Sequence, residues 1–417
     1  MTNEMTIIEK IIFEKIGKIP SPGDIVVLPI DTAMAHDGTA PLMIKSFEEM
    51  NAKKVWNSSK AVFVIDHVAP SSNEGTSRLH KMMRDFAKKH GIKLYDIGEG
   101  ICHQILPEKG HVFPGAVVVG ADSHTCTHGA FTAFATGIGS TEMAAVFASG
   151  KLWFKVPESI KININGKLKG NVMSKDLILY IIGEIKADGA NYKAVEFTGS
   201  TIKEMSMESR MVMTNMVVEM GGKTGLIETD EKTKAFLEGR VNIPFKEIKA
   251  DKNAKYSDEL EIEAEKIEPM VSCPHSVDNV KPVSEVEGIE VDQVFIGSCT
   301  NGRLEDLRIV AKVLKNKKVK TRTIVIPASR EVLLNAIKEG IIEELIKAGC
   351  VVGVPGCGPC AGSHHGIPSP GDIVVSTTNR NFKGRMGIAD AYIYLASPLT
   401  AAYTALNGKI TIPEVIL

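Results

Sequence analysis

The sequence lacks any long apolar run. No window approaches the roughly 18 consecutive apolar residues of a membrane-spanning helix, because polar residues interrupt even the best candidate, residues 112–150. The N-terminus, MTNEMTIIEKIIFEKIGKI, mixes Glu and Lys into its apolar positions and has no small-residue cleavage site, unlike a signal peptide. It predicts an amphipathic helix whose apolar face comprises Ile8, Ile11, Ile12 and Ile16. We therefore expect a cytoplasmic protein.

An excess of charge of either sign is also absent. The chain has 49 Lys and Arg against 50 Asp and Glu, a formal net charge of −1, so it offers no global basic field to a polyanion. This balance disfavours a dedicated nucleic-acid-binding function. With 417 residues, 44% of them hydrophobic, the chain is long enough for two or three globular domains.

Short apolar runs alternate with amphipathic helical patterns along the chain. The runs are IVVLPI (25–30), AVFVI (61–65), AVVVG (116–120), QVFIG (293–297), TIVIP (323–327) and DIVVS (372–376). With helical patterns such as 303–316 and 330–348 between them, they indicate strands buried on both faces of a parallel sheet. We predict the α/β class with mainly parallel sheets.

Composition and an internal repeat suggest three domains. The nonapeptide IPSPGDIVV occurs at 19–27 and again at 367–375, either because the terminal domains have related folds or because one turn–strand unit recurs. A charge-dense segment, 245–285, is typical of a domain boundary, and a softer boundary lies near 155. We predict α/β domains at 1–155, 156–285 and 286–417, the third of which carries the cysteines of the C-x-x-C motif.

Polar clusters follow three of the predicted strands directly. The clusters are Asp66-His67, Asp122-Ser123-His124 and Cys299-Thr300-Asn301. In open parallel sheets, ligands bind beyond the carboxyl ends of the strands. A single Asp-His pair is most often a capping or surface pair, but three such strand ends favour one active site.

The cysteines leave three interpretations open. Seven is an odd number and the chain has no export signal, which favours free thiols or metal ligands over disulfides. The one C-x-x-C motif, Cys357-Gly-Pro-Cys360, fits a redox dithiol poorly because no helical pattern follows it. A zinc site would need further ligands, such as Cys350, His364 or His365. The third interpretation adds Cys299, because three thiolates can hold a [4Fe-4S] cluster and leave one iron open.

Several motifs together resemble one family. EGICHQ, GADSHTCTHGAF, NMVVEMGG, IGSCTNGR, PGCGPC and TTNRNFKGR, in their order and spacing along the chain, resemble the aconitase superfamily over nearly the whole chain. More narrowly, they resemble the large subunits of two-subunit 3-isopropylmalate dehydratases and homoaconitases. The resemblance implies an aconitase-like fold, an active site at the carboxyl ends of the strands, and a hydro-lyase that removes water from a hydroxy acid and adds it back.

The resemblance also implies roles for individual residues. It implies one [4Fe-4S] cluster on Cys299, Cys357 and Cys360, with Asn215 and Asn379 close to it. Groups implied to protonate and expel the substrate hydroxyl are Asp66, His67, His103, Asp122, His124 and Glu219. Groups implied to bind the substrate are His36, Ser123, Arg380 and Arg385, of which the two arginines suit carboxylates.

Two departures from single-chain aconitases carry information. Those enzymes have glutamine where this sequence has His36, so citrate is disfavoured as the substrate. Their catalytic base is a serine in a swivelling C-terminal domain, and this sequence, which ends at Leu417, contains no matching segment. We therefore expect a separate small subunit of roughly 160 residues, a normal single-domain size, to supply the base.

The expected function is the isomerisation of 2-isopropylmalate to 3-isopropylmalate in leucine biosynthesis, by dehydration and rehydration. The alternative is a homoaconitase large subunit acting on homocitrate and homoaconitate. An RNA-binding aconitase-like regulator and a cysteine redox protein are disfavoured. Of the remaining residues, Cys102 and Cys126 are expected to be buried in the core, His364 and His365 to lie outside direct contact with substrate, and His80, His90 and His111 to lie at the surface.

Overall fold

The computed structural model describes residues 4–416. Its strands are β1 Ile25–Pro29, β2 Thr32–His36, β3 Ala61–Val64, β4 Lys93–Tyr95, β5 Val117–Gly120, β6 Phe134–Gly137, β7 Lys151–Lys155, β8 Ser159–Asn165, β9 Ala194–Thr198, β10 Thr224–Ile227, β11 Asp258–Glu263, β12 Met270–Ser272, β13 Val280–Pro282, β14 Gln293–Ile296, β15 Arg322–Val325, β16 Val351–Val352, β17 Ile373–Ser376 and β18 Tyr392–Ala396.

The α-helices are α1 Ile7–Ile16, α2 Ala40–Glu49, α3 Glu74–His90, α4 Cys102–Glu108, α5 Ser140–Ser149, α6 Ser174–Ile185, α7 Ser200–Glu204, α8 Met207–Asn215, α9 Glu231–Leu237, α10 Ser298–Asn301, α11 Leu304–Leu314, α12 Arg330–Lys338, α13 Ile341–Ala348 and α14 Pro398–Asn407. The N-terminal helix is confirmed: Thr6 and Glu9 form a capping box at its start. The helix predicted over 330–348 is two helices, because Gly340 adopts a left-handed conformation between them. No described helix is long and apolar enough to cross a membrane.

Four sheets organise the described residues, and their strands are mainly parallel, as predicted. The five-stranded sheet has the order β4-β3-β2-β5-β6 and is parallel throughout. The four-stranded sheet, β10-β9-β8-β11, is parallel too. The seven-stranded sheet, β13-β12-β18-β17-β14-β15-β16, is antiparallel only at β12. Strands β12 and β13 belong to this sheet, so it begins before the boundary predicted near residue 285.

The repeated nonapeptide forms the same local unit in two different surroundings. In both copies the Ser N–H donates to the following Asp carboxylate, Ser21 to Asp24 at 3.0 Å and Ser369 to Asp372 at 2.9 Å. The strand after the second copy is buried and parallel, as predicted. The strand after the first, β1, is half exposed and pairs antiparallel with β7 alone. The prediction of a strand buried on both faces is therefore wrong for 25–30, because no second layer covers this two-stranded ribbon.

Strand order brings the functional segments to two sheet edges. Strands β3, β2 and β5 are parallel neighbours, so the segments that follow them leave the five-stranded sheet at the same edge. Strands β17 and β14 are likewise parallel neighbours, so the segments after Ile296 and Ser376 leave the seven-stranded sheet together. The two edges meet. The N–H of Cys357, which follows β16 of the seven-stranded sheet, donates at 2.9 Å to the carbonyl oxygen of Asp66, which follows β3 of the five-stranded sheet.

Candidate active site

A cavity of about 180 Å³ lies where these two edges meet. Twelve of the fifteen predicted site residues line it: His36, His67, His103, Asp122, Ser123, His124, Cys299, Cys357, Cys360, Asn379, Arg380 and Arg385. The other three, Asp66, Asn215 and Glu219, lie behind the lining and contact its residues through hydrogen bonds. The structure therefore brings the whole predicted set together.

Three buried thiols form one wall of the cavity. Cys299, Cys357 and Cys360 are each 5–6% exposed. Burial raises the pKa of Cys299 to about 12 and that of Cys357 well above its usual value. Such thiols stay protonated unless a metal binds, because coordination ionises a thiol. Three sulfur donors around one cavity fit the iron–sulfur group that the resemblance implies.

Nitrogen donors point at two of these sulfur atoms. Asn215 Nδ2 and Asn379 Nδ2 lie 3.2 and 3.4 Å from Cys299 Sγ, and Arg385 Nη2 lies 3.4 Å from Cys360 Sγ. Asn379 Nδ2 also lies 3.3 Å from Asn215 Oδ1, which fixes the two amides relative to each other. Donors of this kind orient metal-binding sulfur atoms and stabilise their negative charge.

A short turn after β14 presents Cys299. Ser298 has φ of 77°, a left-handed conformation that is unusual outside glycine, and its hydroxyl lies 2.6 Å from that of Thr300. The buried Arg303 donates to the carbonyl oxygens of Cys299 and Thr300, both at 2.6 Å. This fixes the backbone at Cys299 within the short helix α10, which precedes α11, the helix predicted over 303–316.

The Cys357-Cys360 segment needs glycine for steric reasons. Gly358 has φ of 58°, and a Cβ there would come within 2.4 Å of Ile326 Cδ1. Residues 358–361 form a single 3₁₀ turn and not the long helix of a dithiol oxidoreductase. This geometry agrees with the prediction that the motif is not a redox dithiol.

Asp122 is the centre of the imidazole network. Its Oδ1 lies 2.8 Å from His103 Nε2 and accepts the His124 N–H at 2.7 Å. Its Oδ2 lies 3.4 Å from both His36 Nε2 and His67 Nε2. Burial opposes ionisation of Asp122, but these partners, His103 above all, lower its pKa well below the usual value. Asp122 is therefore a carboxylate that orients four surrounding histidines.

His67 and His103 are driven to opposite protonation states. Burial lowers the pKa of His67, but Cys357 in its thiolate form, together with Asp66 and Asp122, outweighs burial and raises that pKa well above its usual value. His67 Nδ1 lies 2.8 Å from Asp66 Oδ1. Burial dominates at His103 and lowers its pKa despite Asp122. His67 thus holds a proton near neutral pH, whereas His103 is neutral.

A second carboxylate, Glu219, joins an imidazole to a guanidinium. Its Oε1 lies 2.7 Å from His124 Nε2 and 2.8 Å from Arg380 Nε. Burial raises the pKa of Glu219, but His124 and Arg380 outweigh that effect and lower it. Glu219, which lies outside the cavity lining, therefore holds Arg380 in its position at the cavity wall.

Comparison with known proteins shows that the family resemblance covers nearly the whole chain. The model of the aconitase family (aconitate hydratase) matches residues 9–287 and 281–408. The chain belongs to the aconitase family. It is 53% identical over 413 residues, 98% of its length and 99% of the relative's, to the probable 3-isopropylmalate dehydratase large subunit of Methanothermobacter thermautotrophicus. It is 56% identical over 388 residues, 93% of its length and 99% of the relative's, to the probable methanogen homoaconitase large subunit of Methanosarcina mazei.

A solved structure supports the same fold. Aconitase X from Thermococcus kodakaraensis, in its holo form, superimposes with a TM-score of 0.52 over 92% of each chain, at 12% sequence identity. At that identity the likeness concerns the fold of this aconitase-family chain and not its chemistry.

Three residues beside the candidate site were not expected there from the sequence. Asp37 accepts the backbone N–H groups of Asp66, His67 and Val68 at 3.2, 2.9 and 2.8 Å. His80, expected at the surface, is buried and lies 3.2 Å from Asp37 Oδ2, so that expectation is wrong. The only sequence signal was that Asp37 follows His36 at the end of β2.

The third missed residue, His128, lies behind His103. It is fully buried, and the two ring centroids are 5.5 Å apart. Burial lowers the pKa of His128 well below its usual value, which leaves it neutral. Cys102 and Cys126 are buried as expected. His364 Nε2 lies 3.0 Å from the Ala69 carbonyl oxygen and is absent from the cavity wall.

Replacing Asp37 by asparagine is expected to destabilise this chain in a pH-dependent way. An amide cannot accept all the N–H groups that the carboxylate accepts, so we expect a loss of about 3 kcal/mol at neutral pH. Burial raises the pKa of Asp37, but His80 and the neighbouring donors outweigh it and lower that pKa in the folded state. The stabilisation is therefore complete above the unfolded pKa of about 4 and declines as the pH falls further.

The measurement is the free energy of unfolding of the metal-free chain in urea between pH 3 and 8. The control is Asp85→Asn, because wild-type Asp85 forms only an exposed ion pair with Lys81. The wild-type and Asp37→Asn curves should converge toward low pH, and the control should not separate from wild type. A constant difference at every pH would contradict the role assigned to the Asp37 charge.

Proposed function

We propose that this chain is the iron–sulfur-bearing large subunit of a 3-isopropylmalate dehydratase, which interconverts 2- and 3-isopropylmalate by dehydration and rehydration. The observation that carries the proposal is the single cavity in which three buried thiols face an Asp122-centred imidazole network and two arginines. The dehydratase names of relatives 53% identical from Methanothermobacter thermautotrophicus and Thermotoga maritima, each covering 98% of this chain, support it.

Cys299, Cys357 and Cys360 would hold a [4Fe-4S] cluster, since their three sulfur atoms face one cavity. Such a cluster, held at three irons, supplies a Lewis acid for hydroxyl and carboxylate oxygens. The remaining chemistry belongs to side chains of the chain. Arg385 donates to Cys360 and borders the cavity beside Arg380, so the two guanidinium groups offer planar donor pairs to substrate carboxylates.

Proton supply to the departing hydroxyl is assigned to His67. Its raised pKa keeps it protonated near neutral pH, and Asp66 and Asp122 fix both ring nitrogens. Hydroxide is a poor leaving group, so a positioned acid accelerates its departure. Stacking of His36 on His67, with ring centroids 3.7 Å apart, holds the ring plane in place.

The base that removes the carbon-bound proton is assigned to a partner subunit. The carboxylate of Asp122 is hydrogen-bonded to His103, and that of Glu219 to His124 and Arg380. Their lowered pKa values make both carboxylates weak bases. A second cavity of about 450 Å³ adjoins the first, because Asp122 and Ser123 line both. We propose that a separate small subunit covers this side and presents a serine base from a swivelling domain.

A homoaconitase large subunit is the second candidate. The 56% identity to the Methanosarcina mazei homoaconitase large subunit, over 93% of this chain, favours it. Both substrates share a malate-like core with two carboxylates. In the cavity lining, only Ile101 and Ala361 offer purely apolar side chains, so this chain provides little surface for an isopropyl group. We therefore propose that the partner subunit contacts the substituent that distinguishes the two substrates.

The test is anaerobic reconstitution of the chain with iron and sulfide, followed by pairing with candidate small subunits. We expect turnover of 2-isopropylmalate to exceed that of homocitrate at least about tenfold in kcat/KM with the matching partner, a preference equivalent to about 1.4 kcal/mol. The chain without a partner is the blank. A preference for homocitrate with every partner would support the homoaconitase alternative, and failure to bind iron and sulfide would reject both.

A further inference from the structure

Lys175, in the first turn of α6, is a fully buried cation outside the site described above. Its ammonium group donates to the carbonyl oxygens of Thr377 and Thr378 at 3.2 and 2.5 Å. Met216 Sδ lies 4.0 Å away. These contacts satisfy its hydrogen atoms, but all of them are to uncharged atoms.

A buried ammonium without a counter-ion is costly. Within residues 4–416, no carboxylate oxygen lies within 4.0 Å of Lys175 Nζ, although other lysines of the chain have such partners. The adjacent Asp176 uses its two oxygens on the backbone N–H groups of Met173 and Met270. In addition, the positive end of the helix dipole lies at the start of α6 and disfavours a cation there. Something else must stabilise this charge.

The two carbonyl groups that Lys175 contacts lie beside the residues that surround Cys299. Thr377 and Thr378 directly precede Asn379, which donates to Cys299 Sγ. The Thr377 carbonyl oxygen also accepts the hydroxyl of Thr300, the residue after Cys299. Burial lowers the pKa of Lys175 to about 8. The groups that oppose this effect most strongly are Cys299 and Cys360, which carry negative charge as thiolates.

We infer that Lys175 is the buried counter-cation of the thiolate-bound iron–sulfur group. It is a positioning residue: it fixes the Thr377–Asn379 segment and supplies positive charge behind the sulfur atoms without entering the cavity. This rests on the proposed function, because the anion that it neutralises exists only when Cys299, Cys357 and Cys360 hold the group as thiolates. In the metal-free chain, the same cation brings a desolvation cost that hydrogen bonds offset in part but no negative charge compensates.

Two substitutions separate the charge from the hydrogen bonds. Lys175→Gln keeps an N–H donor for the carbonyl oxygens but removes the charge, whereas Lys175→Met removes both. The matched control is Lys232→Gln. Lys232 likewise donates to backbone carbonyl oxygens, those of Lys203, Glu204 and Met205, and it lies outside the cavity.

The readouts are independent of turnover. The chain is reconstituted anaerobically, and the loss of iron–sulfur absorbance in chelator is timed. The reduction potential of the bound group is measured, and the metal-free and loaded forms are unfolded thermally. We expect Lys175→Gln and Lys175→Met to lose the group about tenfold faster than wild type, from the loss of one Coulombic attraction through protein. The potential should become more negative. The metal-free Lys175→Gln form should be at least as stable as wild type, because it loses an uncompensated buried charge and keeps an N–H donor.

The outcomes distinguish the inference from the proposed function. If wild type loads the group and Lys175→Gln matches its loss rate and potential, the charge has no role and the inference is wrong. Equal destabilisation of the metal-free and loaded variants, or failure of both variants to fold, would also overturn it, because a structural role explains either result. Failure of wild type itself to load iron and sulfide rejects the proposed function first.

Discussion

Cys299→Ser is expected to abolish both iron–sulfur loading and turnover. Cys299 is one of only three sulfur donors on the cavity wall, and two amide groups are aimed at its Sγ. A serine hydroxyl at this place is a much weaker ligand for iron than a thiolate. Iron and sulfide content after anaerobic reconstitution, followed by the isopropylmalate assay with the small subunit, measures both losses.

The control for this substitution is Cys350→Ala. Cys350 is as buried as Cys299 but lies in the core of the seven-stranded sheet and outside the cavity. This variant should lose some stability through the cavity that it creates, yet load iron and sulfide at the wild-type ratio. Full activity of Cys299→Ser would refute the assignment of the cluster to these cysteines.

Asp122→Asn is expected to lower kcat/KM by about 10²- to 10⁴-fold while leaving the iron–sulfur content unchanged. Asp122 accepts from His103 and from the His124 backbone and faces His36 and His67. The amide keeps the shape of the carboxylate but loses the charge, and it presents a donor toward imidazole N–H groups. The orientation and protonation of the network would therefore change together.

Steady-state kinetics of the reconstituted pair measures this effect, and metal analysis verifies loading. Asp96→Asn, in a half-exposed ion pair with Arg84, is the control and should retain wild-type kinetics. A loss of iron in Asp122→Asn would mean that the carboxylate supports the cluster site and not the proton chemistry. A rate within threefold of wild type would remove Asp122 from the mechanism.

The convergence of the candidate site residues could be predicted because parallel neighbouring strands share one carboxyl edge. Asp66, Asp122 and Cys299 each follow an apolar run directly, and the sheets place these runs where the prediction requires them. The alternation of apolar strands with amphipathic helices was likewise sufficient for the α/β class. Both predictions depend on local periodicity, which a single sequence displays.

Residues that act through long-range contacts could not be predicted in this way. Asp37 binds backbone N–H groups about thirty positions further along the chain, and Lys175 contacts carbonyl oxygens about two hundred positions away. Nothing in their local sequence specifies these partners. His80 shows the opposite error, because the polar helix around it suggested exposure while its one buried face holds the imidazole.

The repeated nonapeptide shows how far context overrides local sequence. Val27 and Val375 occupy the same position of identical segments, yet the first is 58% exposed and the second 1%. The turn is local and forms twice, since it depends on the Ser–Asp hydrogen bond and the glycine. The burial of the following strand depends on which layers cover it, and those layers come from other parts of the chain.

The placement of the imidazoles and the thiols on different sheets has a consequence for biosynthesis. A ribosome releases β2, β3 and β5 well before β14 and β17, so a nascent chain presents histidines and carboxylates long before it can gather the three sulfur atoms. Early intermediates therefore have no means of capturing inorganic iron and sulfide through this triad. If the three cysteines hold the iron–sulfur group as proposed, its delivery follows the emergence of Cys357 and Cys360, so maturation is a late event in the synthesis of each molecule.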